Sequence, residues 1–279
     1  MEKFGLIGYP LGHSMSVVIH KAGFDSLGIS ASYELLETSP ENLVDRIKFL
    51  RCENYSGFNI TIPHKVPIAL FVDNVDKYAD ITGAINTVKI NSDKSFSGYN
   101  TDVIGFKEAI PKTFNLTGKH AALLGTGGAS RAAVLGLSER GINSIDVYTR
   151  NIPNALDYMA YLRRKFPHIA FNVYQIDRIK DLSKYDILVN TTPIGMQGRS
   201  ADLTPVEEYV LKTLPEHSIV YDVIYNPKKT VLLKLAEQRG LKIINGVDML
   251  VHQAVAAQKI WFGQEPDFTA MKLALIENL

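Results

Sequence analysis

A glycine-rich turn near the middle of the chain constrains the fold more than any other feature of the sequence. An apolar run that ends at Leu124 is followed by Gly125-Thr126-Gly127-Gly128-Ala129 and then by a stretch of helical length. Glycines allow a tight turn and let a pyrophosphate approach the backbone, and the helix N-terminus offers unpaired N–H groups. Ser130 occupies the position of the third fingerprint glycine. The pattern predicts a dinucleotide-binding strand–turn–helix unit, and a tight turn without a ligand is the alternative.

Short β-rich runs alternate with stretches of helical length along nearly the whole chain. Strands are predicted at 4–8, 32–36, 57–62, 86–90, 96–99, 119–124, 144–148, 171–174, 187–190, 219–223 and 241–244. Helices are predicted at 16–27, 102–110, 128–140, 230–239, 247–262 and 268–278. Another helix is predicted to begin at Thr38-Ser-Pro-Glu41, which has the spacing of a capping box. This alternation predicts an α/β fold with largely parallel sheets.

Composition excludes several classes of protein. The 279 residues allow two domains at about 150 residues each. Thirty basic and 29 acidic residues leave a charge of +1, which creates no field for nucleic acid or an anionic membrane. The single cysteine cannot form an internal disulfide, and no Cys/His spacing indicates a metal site. Because no leader or long apolar run is evident either, we expect a cytoplasmic protein without a membrane partner.

The strand after the glycine turn bears on the choice of cofactor. A site for NAD usually has an acidic residue at the end of this strand, against the ribose hydroxyls. Here the strand ends in Tyr148-Thr149-Arg150-Asn151, and Asp146 comes too early for that role. The Arg150 guanidinium can pair bidentately with a 2′-phosphate, flanked by the Thr149 hydroxyl and the Asn151 amide. We therefore predict NADP, and a solvated arginine at a strand end is the alternative.

Two serines lie between the first predicted strand and the first predicted helix. Ser14 and Ser16 place two hydroxyls at a helix N-terminus, where the dipole and free amides favour an anion. This arrangement predicts a binding surface for a carboxylate. Simple N-capping is the alternative, and it explains one serine better than two.

Three further polar segments fall at strand ends or at a helix start. Asn59 and Thr61 share one face of a strand by its period of two, and Lys65 follows the Pro63 that ends this strand. Asn86 begins another strand, and Asp102 is about to enter a helix. Taken singly, Lys65 reads as a surface charge and Asp102 as a helix cap.

Together these segments resemble the shikimate dehydrogenase family. GHSxS, NxTxPHK, AxNT and NTDxxGF occur in the family's order before the GxGGASRA turn. The likeness continues with Asn190-Thr-Thr-Pro-Ile-Gly195-Met196, Tyr221-Asp-Val-Ile-Tyr225 and Gly246-Val-Asp-Met-Leu-Val-His-Gln253-Ala. Each motif is weak alone, but seven in one order, spanning Gly5 to Ala257, are specific.

The resemblance implies a two-domain enzyme with its active site in the cleft between the domains. Residues 1–102, completed by helices in 246–279, would form the substrate domain, and residues 103–245 a Rossmann-type NADP domain. The implied reaction is the reversible reduction of 3-dehydroshikimate to shikimate by NADPH, a step towards chorismate and the aromatic amino acids. The enzyme would be a monomer or a homodimer.

The resemblance also implies roles for individual residues. Lys65 would donate the proton to the reduced carbonyl oxygen, and Asp102 would hold the lysine and a ring hydroxyl. Substrate contacts would come from Ser14, Ser16, Asn59, Thr61, Asn86, Tyr225 and Gln253. Cofactor contacts would come from Gly125, Thr126, Gly127, Gly128, Ala129, Thr149, Arg150, Asn151, Thr191, Val223 and Gly246. His13 and His64 would be supporting residues.

Four positions depart from the family pattern. Val17 replaces a usual proline, Thr126 a common alanine, Val223 a common methionine and Asp248 a usual glycine. These departures concern the substrate loop and the fit of the cofactor.

Three other functions share parts of this pattern. A quinate or dual-specificity dehydrogenase has most of the motifs, although the Arg150 strand end and the two serines weigh against it. A methylenetetrahydrofolate dehydrogenase would leave Ser14, Ser16 and the NTDxxG segment unexplained. A non-catalytic NADP or metabolite sensor is expected to lack Lys65 or Asp102, and both are present.

Overall fold

The computed structural model of the protein describes residues 1–12 and 14–279, and they form two compact units. The first unit contains Met1–Gly105 and Val251–Asn278, and the second contains Phe106–Leu250 with Leu279. His13 lies outside the described residues.

Twelve strands and ten α-helices make up the described part of the chain. The strands are β1 (Glu2–Gly8), β2 (Ala31–Glu37), β3 (Tyr55–Ile60), β4 (Asn74–Val75), β5 (Thr87–Ile90), β6 (Phe96–Tyr99), β7 (His120–Leu124), β8 (Ser144–Thr149), β9 (Ala170–Gln175), β10 (Ile187–Asn190), β11 (Ile219–Asp222) and β12 (Lys242–Ile244). The helices are α1 (Ser16–Leu27), α2 (Leu43–Cys52), α3 (Lys77–Thr82), α4 (Thr101–Ala109), α5 (Gly128–Glu139), α6 (Ile152–Lys165), α7 (Glu208–Leu211), α8 (Val231–Gln238), α9 (Val247–Phe262) and α10 (Phe268–Glu277).

The first unit is built on a mixed six-stranded sheet with the order β2-β1-β3-β5-β6-β4. Strand β1 is parallel to β2 and β3, whereas β5 is antiparallel to both β3 and β6. Side chains of β1 pack on both faces of the sheet, because Phe4 and Leu6 belong to one apolar cluster and Ile7 to another. The sheet is therefore covered on both faces, as buried parallel strands require.

The end of the chain contributes to the core of the first unit. Trp261 of α9 stacks on Phe4 with ring centroids 4.4 Å apart, and its indole N–H donates to the Val88 carbonyl at 3.0 Å. A buried indole N–H needs such an acceptor. The aromatic contact therefore ties the last helices to the first strand.

The second unit contains a parallel six-stranded sheet with the order β12-β11-β10-β7-β8-β9. The chain winds from β7 outward to β8 and β9, and then outward on the other side through β10, β11 and β12. This is the Rossmann order, in which ligands bind beyond the carboxyl end of the first strand. The glycine turn follows β7 at that point. The predicted α/β class is confirmed.

One local prediction is wrong. The stretch after Thr38 begins as a 3-10 turn over Pro40–Asn42, and α2 starts only at Leu43. The Thr38 hydroxyl donates to the Leu36 carbonyl at 2.7 Å, so the predicted capping box does not form. Most strand pairings are parallel, as predicted, and the antiparallel ones of the first sheet are those that β5 makes with β3 and with β6.

Candidate active site

Lys65 and Asp102 form an ion pair in the first unit. Lys65 Nζ lies 2.6 Å from Asp102 Oδ2, and the two side chains are 20% and 10% exposed. Partial burial strengthens such a pair, because little water competes for the charges. The lysine predicted as a possible surface charge is therefore paired, and two of its three N–H donors remain for a ligand.

The carboxylate of Asp102 does not cap its helix. Asp102 is the second residue of α4, and its backbone N–H donates to Asn100 Oδ1 at 3.1 Å. Its two oxygens accept from Lys65 and, at 2.8 Å, from Asn86 Nδ2. Asn100 therefore supplies the cap, and the carboxylate is oriented by side chains.

Asn86 is almost fully buried beside this pair. Its Oδ1 accepts from the Thr101 backbone N–H at 2.7 Å, and its Nδ2 also donates to Thr101 Oγ1 at 2.9 Å. A longer contact of 3.4 Å joins Nδ2 to Gln253 Oε1 on α9. Asn86 thus connects Asp102 with the helix that returns at the end of the chain.

Strand register explains why these residues meet. Asn59 of β3 is paired with Thr87 of β5, and Thr87 is paired with Tyr99 of β6. The residues after Asn59, the residue before Thr87 and the residues after Tyr99 therefore converge at one edge of the sheet. Asn86 and Asp102 belong to this edge, and so does Lys65, whose carbonyl accepts from the Ile85 N–H at 2.7 Å.

Asn59 is held on both sides of its amide by protein groups. Tyr33 Oη donates to Asn59 Oδ1 at 2.7 Å. Asn59 Nδ2 donates to the Asn86 carbonyl at 3.2 Å and to Thr87 Oγ1 at 2.9 Å. Both amide hydrogens are therefore used by protein groups.

Ser14 and Ser16 face each other at the start of α1. Their hydroxyl oxygens are 3.1 Å apart, and the Ser16 N–H donates to Ser14 Oγ at 3.3 Å. The N-cap position belongs to Met15, whose own side chain makes no capping hydrogen bond. Both serines are partly buried. The two hydroxyls are close enough to bind one anion together.

Thr61 and His64 shape the segment that leads to Lys65. The Thr61 N–H donates to the Ile7 carbonyl at 2.8 Å, directly after β3. His64 is buried, and its Nε2 lies 2.6 Å from the Thr38 carbonyl, which makes this nitrogen the donor. His64 thus attaches the segment to the end of β2, in agreement with a supporting role.

The glycine turn of the second unit has the geometry of a dinucleotide site. Gly125 has φ of +104°, a conformation that favours glycine. A Cβ at Gly127 would meet no described atom within 4 Å, so the backbone there faces open space. Gly127 is the N-cap of α5, and no side chain caps that helix. Its first N–H groups can therefore bind a pyrophosphate.

Ser130 replaces the third fingerprint glycine without loss of packing. Its hydroxyl donates to the Gly125 carbonyl at 2.8 Å, and the residue is 3% exposed. The hydroxyl thus closes the turn from inside the helix.

The end of β8 carries a cationic side chain on the solvent side. Arg150 is exposed, whereas Thr149 is buried and its Oγ1 lies 3.2 Å from Thr126 Oγ1. The Asn151 side chain accepts from the Asn154 N–H at 3.4 Å and so caps α6. Asp146 is buried, and its carboxylate binds Lys184 at 2.6 Å, away from any ribose role. Arg150 remains the group suited to a phosphate.

The other predicted cofactor residues lie on loops after β10, β11 and β12. Thr191 Oγ1 donates to the Leu124 carbonyl at 2.6 Å, directly before the glycine turn. A Cβ at Gly246 would lie 2.0 Å from the Val223 carbonyl oxygen, so only glycine fits there.

Tyr225, predicted as a substrate contact, follows β11 and is partly buried. Burial raises the pKa of its hydroxyl.

Sequence reasoning missed the groups that orient the first-unit site. Thr87 and Thr101 stood in the AxNT and NTD motifs, yet only their neighbours were predicted as site residues. Tyr33 lies in no motif, and its burial against Asn59 depends on the packing of β2 and β3. No pattern in the sequence identifies Tyr33.

Metal and membrane functions gain no support from the described residues. Among residues 1–12 and 14–279, no group of three His, Cys, Asp or Glu side chains is placed to hold a metal ion. Within the same part of the chain, every helix is too short or too polar to cross a membrane.

Two family profiles match the chain. The shikimate dehydrogenase substrate binding domain matches residues 6–88, and the shikimate 5′-dehydrogenase C-terminal domain matches residues 246–276. The first range contains Ser14, Ser16, Asn59, Thr61, Lys65 and Asn86, and the second contains Gly246 and Gln253.

Individual relatives are similar over the full length. A protein of Methanococcus maripaludis named shikimate dehydrogenase (NADP(+)) is 39% identical and aligns over 99% of this chain and 97% of its own. A shikimate dehydrogenase solved with NADP+ has a TM-score of 0.91 at 36% identity, covering 100% of this chain and 96% of that one. A quinate dehydrogenase of Corynebacterium glutamicum solved with NAD also has a TM-score of 0.91, at 28% identity and 99% coverage of both chains.

Proposed function

Because the chain belongs to the shikimate dehydrogenase family, we propose that it catalyses the reversible reduction of 3-dehydroshikimate to shikimate with NADPH. The single observation that carries the proposal is the partly buried Lys65–Asp102 pair, because a non-catalytic sensor has no need of it. The full-length similarity to NADP-dependent enzymes supports both the reaction and the cofactor.

Lys65 is the acid and base of the proposed reaction. NADPH supplies a hydride to the carbonyl carbon, and negative charge develops on the carbonyl oxygen. Lys65 stabilises this charge and transfers one of its protons to the oxygen, leaving a neutral amine that solvent reprotonates. In the opposite direction, the neutral amine of Lys65 removes the proton from the hydroxyl of shikimate.

Asp102 holds the ammonium in place through the 2.6 Å contact with Lys65 Nζ. Its oxygens also have lone pairs left to accept a hydrogen bond from a ring hydroxyl. Asn86 fixes the carboxylate by its 2.8 Å hydrogen bond, which keeps Asp102 directed at Lys65. A pair that is held before substrate arrives needs little reorganisation during the reaction.

The remaining first-unit residues bind and orient the substrate. Ser14 and Ser16 bind the carboxylate with paired hydroxyls, and Thr61 and Gln253 contact ring hydroxyls. The role of Tyr225 in substrate binding stays a prediction from the resemblance. Asn59 contributes through its hydrogen bond to the Asn86 carbonyl.

The second unit binds NADP in this proposal. The N–H groups of Gly128 and Ala129 bind the pyrophosphate, Gly127 gives it room, and Arg150 pairs with the 2′-phosphate. Thr126, Thr149 and Asn151 line the same turn, and Thr191, Val223 and Gly246 lie on the loops beside it.

Quinate is the second candidate substrate, because the quinate dehydrogenase structure is as similar in fold as the shikimate dehydrogenase structure. Absorbance of NADPH formed from NADP by purified protein, with either shikimate or quinate, tests the proposal. We expect activity with shikimate and much less with quinate. Activity with neither substrate would refute the proposed reaction.

The cytoplasmic location and the assembly state, a monomer or a homodimer, stay predictions. Cell fractionation and light scattering on the purified protein would test them.

A further inference from the structure

A carboxylate is buried at the end of β11, and all its hydrogen-bond partners in the described part of the chain are neutral. Asp222 is 0% exposed. It accepts hydrogen bonds from Asn190 Nδ2 and the Ile224 N–H, both at 3.1 Å on Oδ1, and from Thr230 Oγ1 at 2.7 Å on Oδ2. Burial raises its pKa to about 6, although the three hydrogen bonds oppose the change. A buried charge without a cation is costly, so its retention requires a reason.

The three donors belong to two loops at the carboxyl edge of the second sheet. Asn190 ends β10, and its Oδ1 accepts from both the N–H and the hydroxyl of Thr192, at 3.0 Å and 2.7 Å. Its Nδ2 also donates to the Ile194 carbonyl at 3.2 Å. Asn190 thereby folds the loop on which Thr191 contacts the Leu124 carbonyl before the glycine turn.

The other loop follows Asp222 itself. The Ile224 N–H donates to Asp222 Oδ1, and the Ile224 carbonyl accepts from the Gly246 N–H at 3.0 Å. Thr230 closes this loop, since its hydroxyl binds Asp222 and also caps α8. One carboxylate therefore joins the segments that carry Thr191, Val223 and Gly246.

We propose that Asp222 is a positioning residue for the cofactor, holding the loops after β10, β11 and β12 against the glycine turn. This inference rests on one part of the proposed function, namely that the second unit binds NADP. Three donors converge on one side chain, and no uncharged side chain of this size accepts from all of them. The need for such an acceptor explains why the carboxylate is buried there.

The test compares NADPH affinity, measured by NADPH fluorescence, in the full-length parent and in two variants. Asp222→Leu has a similar volume and no acceptor, and we expect its dissociation constant for NADPH to rise about tenfold or more. Asp222→Asn keeps an oxygen towards Asn190 and Ile224, and its amide can donate to Thr230. We expect Asp222→Asn to bind NADPH almost as tightly as the parent does. If the negative charge of Asp222 alone were responsible, Asp222→Asn would lose as much affinity as Asp222→Leu.

Ser218→Ala is the matched control. Ser218 lies directly before β11, at the opposite end from Asp222, is 0% exposed, and donates to the Tyr185 carbonyl at 2.8 Å. It loses a buried hydrogen bond far from the carboxyl edge, so we expect unchanged NADPH affinity. Equal loss in Ser218→Ala and Asp222→Leu would overturn the proposal, as would a folded Asp222→Leu with parental affinity.

Two further measurements keep the test decisive. If Asp222→Leu does not fold, Asn190→Ala takes its place, because it removes one partner of the carboxylate. We expect this variant to bind NADPH more weakly than the parent. Parental NADPH affinity in Asn190→Ala would overturn the proposal. A parent that binds NADPH but oxidises no shikimate would refute the proposed reaction alone, since the Asp222 comparison uses binding.

Discussion

Lys65 Nζ lies 2.6 Å from Asp102 Oδ2, while Asp102 Oδ1 accepts from Asn86 at 2.8 Å, so one carboxylate both pairs with the lysine and is itself fixed. The two charged residues are 37 positions apart in the chain. The structure therefore shows Lys65 as one member of an ion pair rather than a solvated surface charge. It shows Asp102 as the other member rather than a helix cap.

Replacing Lys65 by Met should remove the proton donor and leave the fold intact. We expect kcat for shikimate oxidation to fall by about 10²–10⁴, the usual effect of losing a positioned acid or base. NADPH binding, measured by fluorescence, should persist because the glycine turn belongs to the other unit. A folded Lys65→Met with parental kcat would refute the assignment.

Replacing Asp102 by Asn should cause a similar loss of kcat. The double variant Lys65→Met/Asp102→Asn should lose less than the sum of the two single losses in activation free energy, because the residues act as a unit. The melting temperature serves as the control. Since Asn100 rather than Asp102 caps α4, we expect only a small change in it. Additive losses would show that the two residues act independently.

Replacing Arg150 by Ala should raise the KM for NADP about tenfold or more, because a charge-assisted hydrogen bond to the 2′-phosphate is lost. The KM for NAD should not change, since NAD lacks that phosphate. Arg164→Ala on α6, also exposed, is the control and should leave both constants unchanged. Equal efficiency of the parent with NADP and NAD would contradict the role of Arg150.

Ser14→Ala and Ser16→Ala should each raise the KM for shikimate with a smaller change in kcat, because the carboxylate is remote from the reacting carbon. Ser26→Ala, near the other end of α1, loses a hydrogen bond to the Gly23 carbonyl and should keep the parental KM. Calorimetry with shikimate gives an independent measurement. Normal binding in both serine variants would leave the hydroxyls with a structural role only.

Asp222 should make the free energy of unfolding depend on pH. Its pKa of about 6 in the folded protein exceeds the ordinary value of 3.8, so the folded state binds more protons than the unfolded state between these values. The stability of the parent relative to Asp222→Asn should therefore fall by about 2 kcal/mol as the pH rises from about 4 to 7. Urea unfolding of both proteins across this range measures the difference. A constant difference would show that burial does not raise this pKa.

The sequence determined those features that depend on local backbone chemistry. The glycine turn, the strand before it and the helix after it follow from residues within a few positions of each other, because φ, helix capping and side-chain periodicity are local properties. The alternation of strands and helices determined the α/β class in the same way. Seven motifs in the order typical of shikimate dehydrogenases indicated the family, and the relatives that align over the full length confirm it.

Only the tertiary structure decided which polar groups meet. The register of β3, β5 and β6 brings Asn59, Asn86 and Asp102 to one sheet edge, and register depends on long-range pairing that no short segment encodes. The same holds for Tyr33 against Asn59 and for Asp222 against Asn190, since each contact joins different strands. Thr38 is a case in which a local pattern predicted the wrong partner. Its hydroxyl donates to the Leu36 carbonyl and does not form the predicted helix cap. A polar side chain takes the partner that burial leaves within reach, and burial is a property of the whole fold.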